Sequence, residues 1–402
     1  MSKTKTMISA LLALAMLTGC NRSAPEESSS AAERELVKLT VWGRAEEQDM
    51  LVQLCEDFAR AHPEKKYAFT LGVMSDEDAA EELLEADGDR ADVFCFQAED
   101  MRELAEAGAL FRLTTDRGWI AENFSADGLT AAEYSGELYG YPVSADACIL
   151  YYDRTLFPEG ESATLEQLLH SAPDGRISLA MDMTDERQLA GFFMGAGCSV
   201  FGQPCRFNGE NGLLAAEYLL RLADEPNLAA EYDSDDVKSG FASGRIAAAI
   251  ADTEIAPEIK STLGADFGVC ALPRFTLPDG TPAQMGGIAE YRLSGVSSRS
   301  SSPADAMEFA RLLAEHELQK YRLEHFDELP AELELSSDED VLRRFPELRA
   351  LREQLKYSQH PRSDGFMEHA EDFGESLLEG KVTLNNLRER LNRFAELALA
   401  AG

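Results

Sequence analysis

From Leu36 onward the chain alternates short apolar runs with amphipathic ones, and that alternation limits the possible folds more than any other feature. Leu36, Val37, Leu39, Val41 and Trp42 predict a strand over 36–42. Met50, Leu51, Leu54, Phe58 and Ala61 then recur at helical spacing, predicting a helix over 46–61 that His62-Pro63 ends. A second strand over 67–73, a helix over 79–86, a fully apolar strand over 91–96 and a short helix over 101–107 closed by Gly108 follow. Strands alternating with helices imply a mainly parallel sheet covered on both faces, with ligands at the carboxyl ends of its strands. Residues 36–402 are too many for one compact domain, so two lobes are expected.

The first residues have a different character. Lys3 and Lys5 precede an apolar run from Met7 to Leu17, too short to span a bilayer of about 30 Å but suited to a signal-peptide core. Leu17-Thr18-Gly19-Cys20 has the pattern of a bacterial lipobox, so residues 1–19 are expected to be removed and Cys20 acylated. Lipid on Cys20 would hold a soluble body on the outer face of the cell membrane. Residues 20–35, with Ser23, Pro25, Glu26, Glu27 and Ser28 to Ser30 and no apolar periodicity, read as a flexible tether.

Charge excludes one class of partner. The chain holds 73 acidic and 37 basic residues, a net charge of −36, which argues against nucleic acid. It also disfavours charge-driven docking on anionic lipid. Six cysteines remain after Cys20; most sit in apolar patterns, whereas Cys198 and Cys205 flank a turn where a disulfide could form. Enzyme signatures are incomplete. His316-Glu317 lacks the second histidine of a zinc helix, and Gly197 to Gly202 misses a nucleophile elbow by one residue. Gly380-Lys381 lacks the rest of a phosphate loop. No catalytic residue, cofactor or metal is assigned.

A series of segments, each weak alone, resembles the extracellular solute-binding proteins of the maltose-binding type. The series includes Leu39-Thr40-Val41-Trp42, Phe58 to Pro63, Gly88 to Phe94 (with Ala91 where proline is usual) and Leu104 to Leu110. Tyr139 to Val143, Leu150 to Asp153, Phe241 to Ile250, Phe267 to Pro273, Gly286-Gly287-Ile288 and Ala306 to Phe309 continue it in the same order. The resemblance implies a periplasmic-binding-protein-like α/β fold of two discontinuous lobes, residues 36–145 with 273–328 and residues 146–272 with 329–402. Crossing strands would lie near Tyr141–Ala147, Leu272–Phe275 and Asp327–Ala331, with ligand in the cleft and the lobes hinging around it. It further implies a monomer that hands a sugar or oligosaccharide to ABC permease subunits.

Sugars are held by aromatic faces and by directed hydrogen bonds to carboxylates or amides. Trp42 and Phe96 end two strands on the expected cleft side, or else fill the core. By segment matching, Glu46 and Glu99 fall where the family places polar sugar contacts, although acids also favour helix starts for the dipole alone. Asp146 stands at the first crossing. Glu254 replaces a tryptophan common among relatives, and Tyr291 and Phe366 complete the candidates. An acidic cleft poor in tryptophan leaves a cationic or amino-bearing ligand open, such as a polyamine or amino sugar. A surface scaffold without a transport partner is a third reading.

Overall fold

The predicted alternation is present where the sequence places it. Strand Leu36–Gly43 leads to helix Gln48–Ala61, whose buried Met50, Leu51, Leu54, Cys55 and Phe58 share one face. Strand Lys66–Val73, helix Asp76–Leu84 and strand Val93–Gln97 follow. This is a computed structural model. It describes residues 34–85, 90–158, 163–171, 175–201, 205–361 and 365–401; the expected signal segment, Cys20 and the tether through residue 33 lie outside them. Among the described residues no helix is long and apolar enough to cross a membrane.

Two five-stranded sheets organise the chain. In the first, Leu36–Gly43 is parallel to both Lys66–Val73 and Val93–Gln97. Strand Glu290–Val296 then runs antiparallel between Val93–Gln97 and Gly140–Asp146. In the second, Cys148–Asp153 lies antiparallel between Phe267–Cys270 and Ala248–Asp252. Leu179–Ala180 and Leu228–Ala229 extend that sheet in parallel. Each sheet is therefore mainly parallel, with four strands running one way and a single strand running against them. Strands Cys148–Asp153 and Glu290–Val296 arrive from the other lobe, and each enters its sheet against the prevailing direction.

The crossings determine where a cleft can form. The first is a single residue: Ala147 separates the end of Gly140–Asp146 from the start of Cys148–Asp153. The second lies later than the sequence suggests. After Leu272 the chain stays in the second lobe, where Phe275, Leu277, Ala283, Met285 and Ile288 join the core beneath helix Glu186–Gly195. It reaches the first sheet only at Glu290. Two glycines permit this detour: a Cβ at Gly191 would lie 2.6 Å from the Gly286 carbonyl, and one at Gly195 2.5 Å from that of Gln284.

The third passage is also displaced. Leu329 O accepts from Ala145 N at 3.1 Å and Pro330 bridges Ser144, so 329–332 still edges the first sheet. Leu335, Val341 and Leu342 belong to the first core. Helix Pro346–Gln354 makes the passage, giving Leu348 and Leu351 to the first core and Ala350 to the second lobe. Helices Met367–Leu378 and Leu387–Ala401 close the second core. Cys198 and Cys205 are free thiols, with Cys205 Sγ donating to Val200 O at 2.9 Å.

Gly191 offers a test of the second crossing. Replacing an ordinary helix-interior glycine with alanine stabilises by about 0.5–1 kcal/mol. Here the added methyl meets backbone, so Gly191→Ala should instead destabilise by roughly 1–3 kcal/mol and lower the melting temperature. An unchanged or raised melting temperature would place residues 284–286 elsewhere.

Candidate binding cleft

Three strands run into short 3-10 turns at the same level of the molecule. Leu36–Gly43 leads to Ala45–Glu47, Val93–Gln97 to Ala98–Asp100 and Ala248–Asp252 to Thr253–Ile255. Together with the crossing segments they enclose a cavity of about 1000 Å³. Gln97, Glu99, Glu133 and Tyr134 line it from the first lobe, and Glu186, Arg187, Asp252 and Glu254 from the second. Asp146, Glu290, Tyr291 and Glu328 line it at the crossings.

Beneath the first wall lies a buried ionic network. Arg292 Nη2 meets Glu47 Oε2 at 2.7 Å, its Nε meets Asp76 Oδ2 at 2.7 Å, and its Nη1 meets Glu328 Oε1 at 3.2 Å. Arg322 Nε pairs with Glu47 Oε1 at 2.7 Å, and Arg44 pairs with Glu328. Three guanidiniums thus face three carboxylates, which is the condition for tolerating charge away from water. The network ties the turn after the opening strand to the second crossing (Arg292) and to the segment beginning the third passage (Glu328).

The floor is less balanced. Polar oxygens of Asp146, Asp252 and Glu290 all lie within 4.8 Å of one another. Asp146 Oδ1 accepts from Ala147 N at 2.7 Å, from Thr253 N at 3.1 Å and from the Thr253 hydroxyl. The facing cation is Arg187, which pairs with Asp185 at 2.7 Å, Asp252 at 3.1 Å and Glu290 at 3.2 Å. Asp185 is fixed in turn as the N-cap of helix Glu186–Gly195, accepting from Arg187 N and Gln188 N. Burial, then the charges of Asp252 and Glu290, hold Asp146 well above the usual carboxylate range. Burial likewise raises Glu290 to about 7 against the pull of Arg187.

Four sequence candidates line the cavity: Glu99, Asp146, Glu254 and Tyr291, whose hydroxyl lies 3.1 Å from Ser125 Oγ. The other four do not. Trp42 is buried against Gly72 and Phe94, and Phe96 packs on Phe94 and Gly295. Both are enclosed because these strand ends are covered on both faces, so successive residues are buried whichever way they point. Phe366 is enclosed by Phe193, Phe207 and Phe394 in the second core. Glu46 turns outward, its side chain 51% exposed beside Arg44, while the adjacent Glu47 is 1% exposed and holds Arg292. Asp252, Glu290 and Arg187 escaped the sequence reading. Asp252 ends an apolar strand as Gln97 does, and that parallel was the available signal; nothing local marks Arg187 or Glu290.

Two lobes, three passages between them and a polar cleft at the passages are the architecture of a two-lobed binding protein. Residues 53–344 match the bacterial extracellular solute-binding protein family, and the chain belongs to it. A galactooligosaccharide-binding protein of Bacillus subtilis (strain 168) is 24% identical over 361 residues, covering 83% of this chain and 82% of that protein. A maltodextrin-binding protein from L. casei BL23, solved without ligand, superposes with a TM-score of 0.81 at 19% identity, covering 90% of this chain and 98% of that one. A maltose-binding protein from Listeria monocytogenes in complex with maltose gives 0.75 at 20% identity over 90% and 98%.

The charges set a pH dependence. Carboxylates raised by folding bind protons that the unfolded chain has already released, so Glu290 adds stability as pH falls from about 7 towards about 4.5. Glu47 and Glu328 act in the opposite sense. Burial alone would raise them, but Arg292 and its neighbouring arginines outweigh it and lower both, so their contribution is lost in acid. The ligand-free protein should melt highest near about pH 5, lower at about pH 8, and much lower below about pH 3. Glu290→Gln should flatten the limb above about pH 5. A melting temperature that climbs steadily to about pH 8 would contradict this charge arrangement.

Proposed function

We propose that this protein captures an oligosaccharide in the cleft, closes its lobes around it and delivers it to the permease of an ABC importer. The cavity carries the reading: about 1000 Å³, lined by both lobes at the passages between them, is the size of a site for several sugar units and not one. The galactooligosaccharide-binding relative and the maltodextrin-binding and maltose-binding neighbours support the ligand class. Asp146, Glu99 and Glu254 would take sugar hydroxyls, while Tyr291 and Tyr134 offer ring edges or faces. Closure requires only that ligand bind the closed form more tightly than the open one. Acylation of Cys20 would keep the protein beside its permease.

Thermal unfolding against a panel of galactose- and glucose-based oligosaccharides tests the reading. A ligand at a hundred times its dissociation constant should stabilise by about 2.7 kcal/mol. Glu99→Gln or Glu254→Gln, from opposite walls, should each weaken that ligand by roughly tenfold. Loss of binding from one wall only would argue against closure. Cys20→Ala should move the protein from the membrane fraction to the soluble one; retention on the membrane would end the lipid-anchor proposal.

A further inference from the structure

Positive charge in the cleft is already committed. Twelve acidic residues and four arginines line it. Arg44 and Arg292 are held in the network under the first wall, and Arg187 is shared among Asp185, Asp252 and Glu290. The walls also oppose like with like. Glu254, on the second lobe, is raised by burial, by Asp252 and by Glu77 across the cleft, against the smaller pull of Arg44 and Arg187. Glu290 experiences the charge of Glu99 in the same way. Bringing the lobes together around a neutral glycan would press these carboxylates closer in a medium of falling dielectric, where repulsion grows.

The floor has room for a specific partner. Asp146 uses Oδ1 for its backbone and hydroxyl donors, and Glu290 uses Oε2 for Arg187. Asp252 gives Oδ2 to Arg187, and among the described residues its Oδ1 accepts the weak Cys148 thiol. Three carboxylates therefore converge with one guanidinium to balance them. An ammonium carries one positive charge and three N–H donors, matching three such acceptors. A hard divalent ion takes six or more oxygens, and because one oxygen of each carboxylate already accepts from a protein donor, water would have to complete its shell.

Building on the oligosaccharide reading, we propose that the ligand bears a protonated amine, an amino-sugar oligomer, whose ammonium seats among Asp146, Asp252 and Glu290. The amine reduces the excess negative charge of the floor and lets the acidic walls close. A neutral sugar of the same shape supplies the hydroxyls but leaves the repulsion in place.

The test is titration calorimetry on the full chain carrying Cys20→Ala, in buffer with EDTA. A short glucosamine oligomer is compared with its fully N-acetylated counterpart, a neutral galactooligosaccharide and spermidine. The glucosamine oligomer should bind on the order of a hundredfold more tightly than the acetylated one, and its affinity should fall with added salt. Asp252→Asn and Glu290→Gln should each lower that preference by about tenfold or more, with circular dichroism confirming that the variants fold. Tighter binding of the acetylated or galactose ligand overturns the amine inference and leaves the oligosaccharide reading intact. Binding of spermidine alone keeps the charge argument but removes the carbohydrate, and silence across all four overturns both. Binding that appears only when calcium or magnesium replaces EDTA assigns the floor to a metal ion and overturns the amine.

Discussion

Arg292 binds together the distant segments that make up the first wall of the cleft. Its guanidinium is enclosed by Glu47, Asp76 and Glu328, each from a different part of the chain, and Arg322 secures Glu47 from the opposite side. Leaving any of these charges unpaired away from water would cost several kcal/mol, so the turn after the first strand, the second crossing and the segment at Glu328 are held in fixed relation. Of the turns at the cleft, Ala45–Glu47 belongs to this frame through Glu47, whereas Thr253–Ile255 is held on the opposite wall by Asp146. A binding site at a hinge needs such a rigid reference, because lobe motion is useful only if each wall moves as a unit.

The floor works on the opposite principle. Where the Arg292 network balances its charges, Asp146, Asp252 and Glu290 share Arg187, and two of the three, Asp146 and Glu290, are pushed towards their neutral forms. Unbalanced charge costs stability, and such sites persist where a ligand supplies what the protein lacks. The overall charge of −36 could not reveal this, because a solvated acidic surface and an acidic cleft look alike in composition.

Much of the first lobe was legible from residues 36–107, because each element there is local and its period is clear. Asp146 was placed at the first crossing through the resemblance of Tyr139 to Val143 to the family's crossing segment. Trp42 and Phe96 were misplaced because both faces of these strand ends are covered, and the cleft begins only beyond them, at Arg44 and Gln97. Phe366 failed for a different reason: its partners Phe193, Phe207 and Phe394 are distant in sequence. The second crossing was set too early because Leu272-Pro273 resembles a strand end. What carries the chain on to Glu290 is contact between Gly191, Gly195 and a backbone some ninety residues away, a relation no local pattern encodes.

The central claim is that ligand in this cleft draws two rigid lobes together. Small-angle X-ray scattering of the protein, alone and saturated with an oligosaccharide that stabilises it, tests that claim most directly. Closure predicts a smaller radius of gyration and a shorter maximum dimension on saturation, with unchanged molecular mass. Full occupancy of the cleft with no change in either dimension would contradict it.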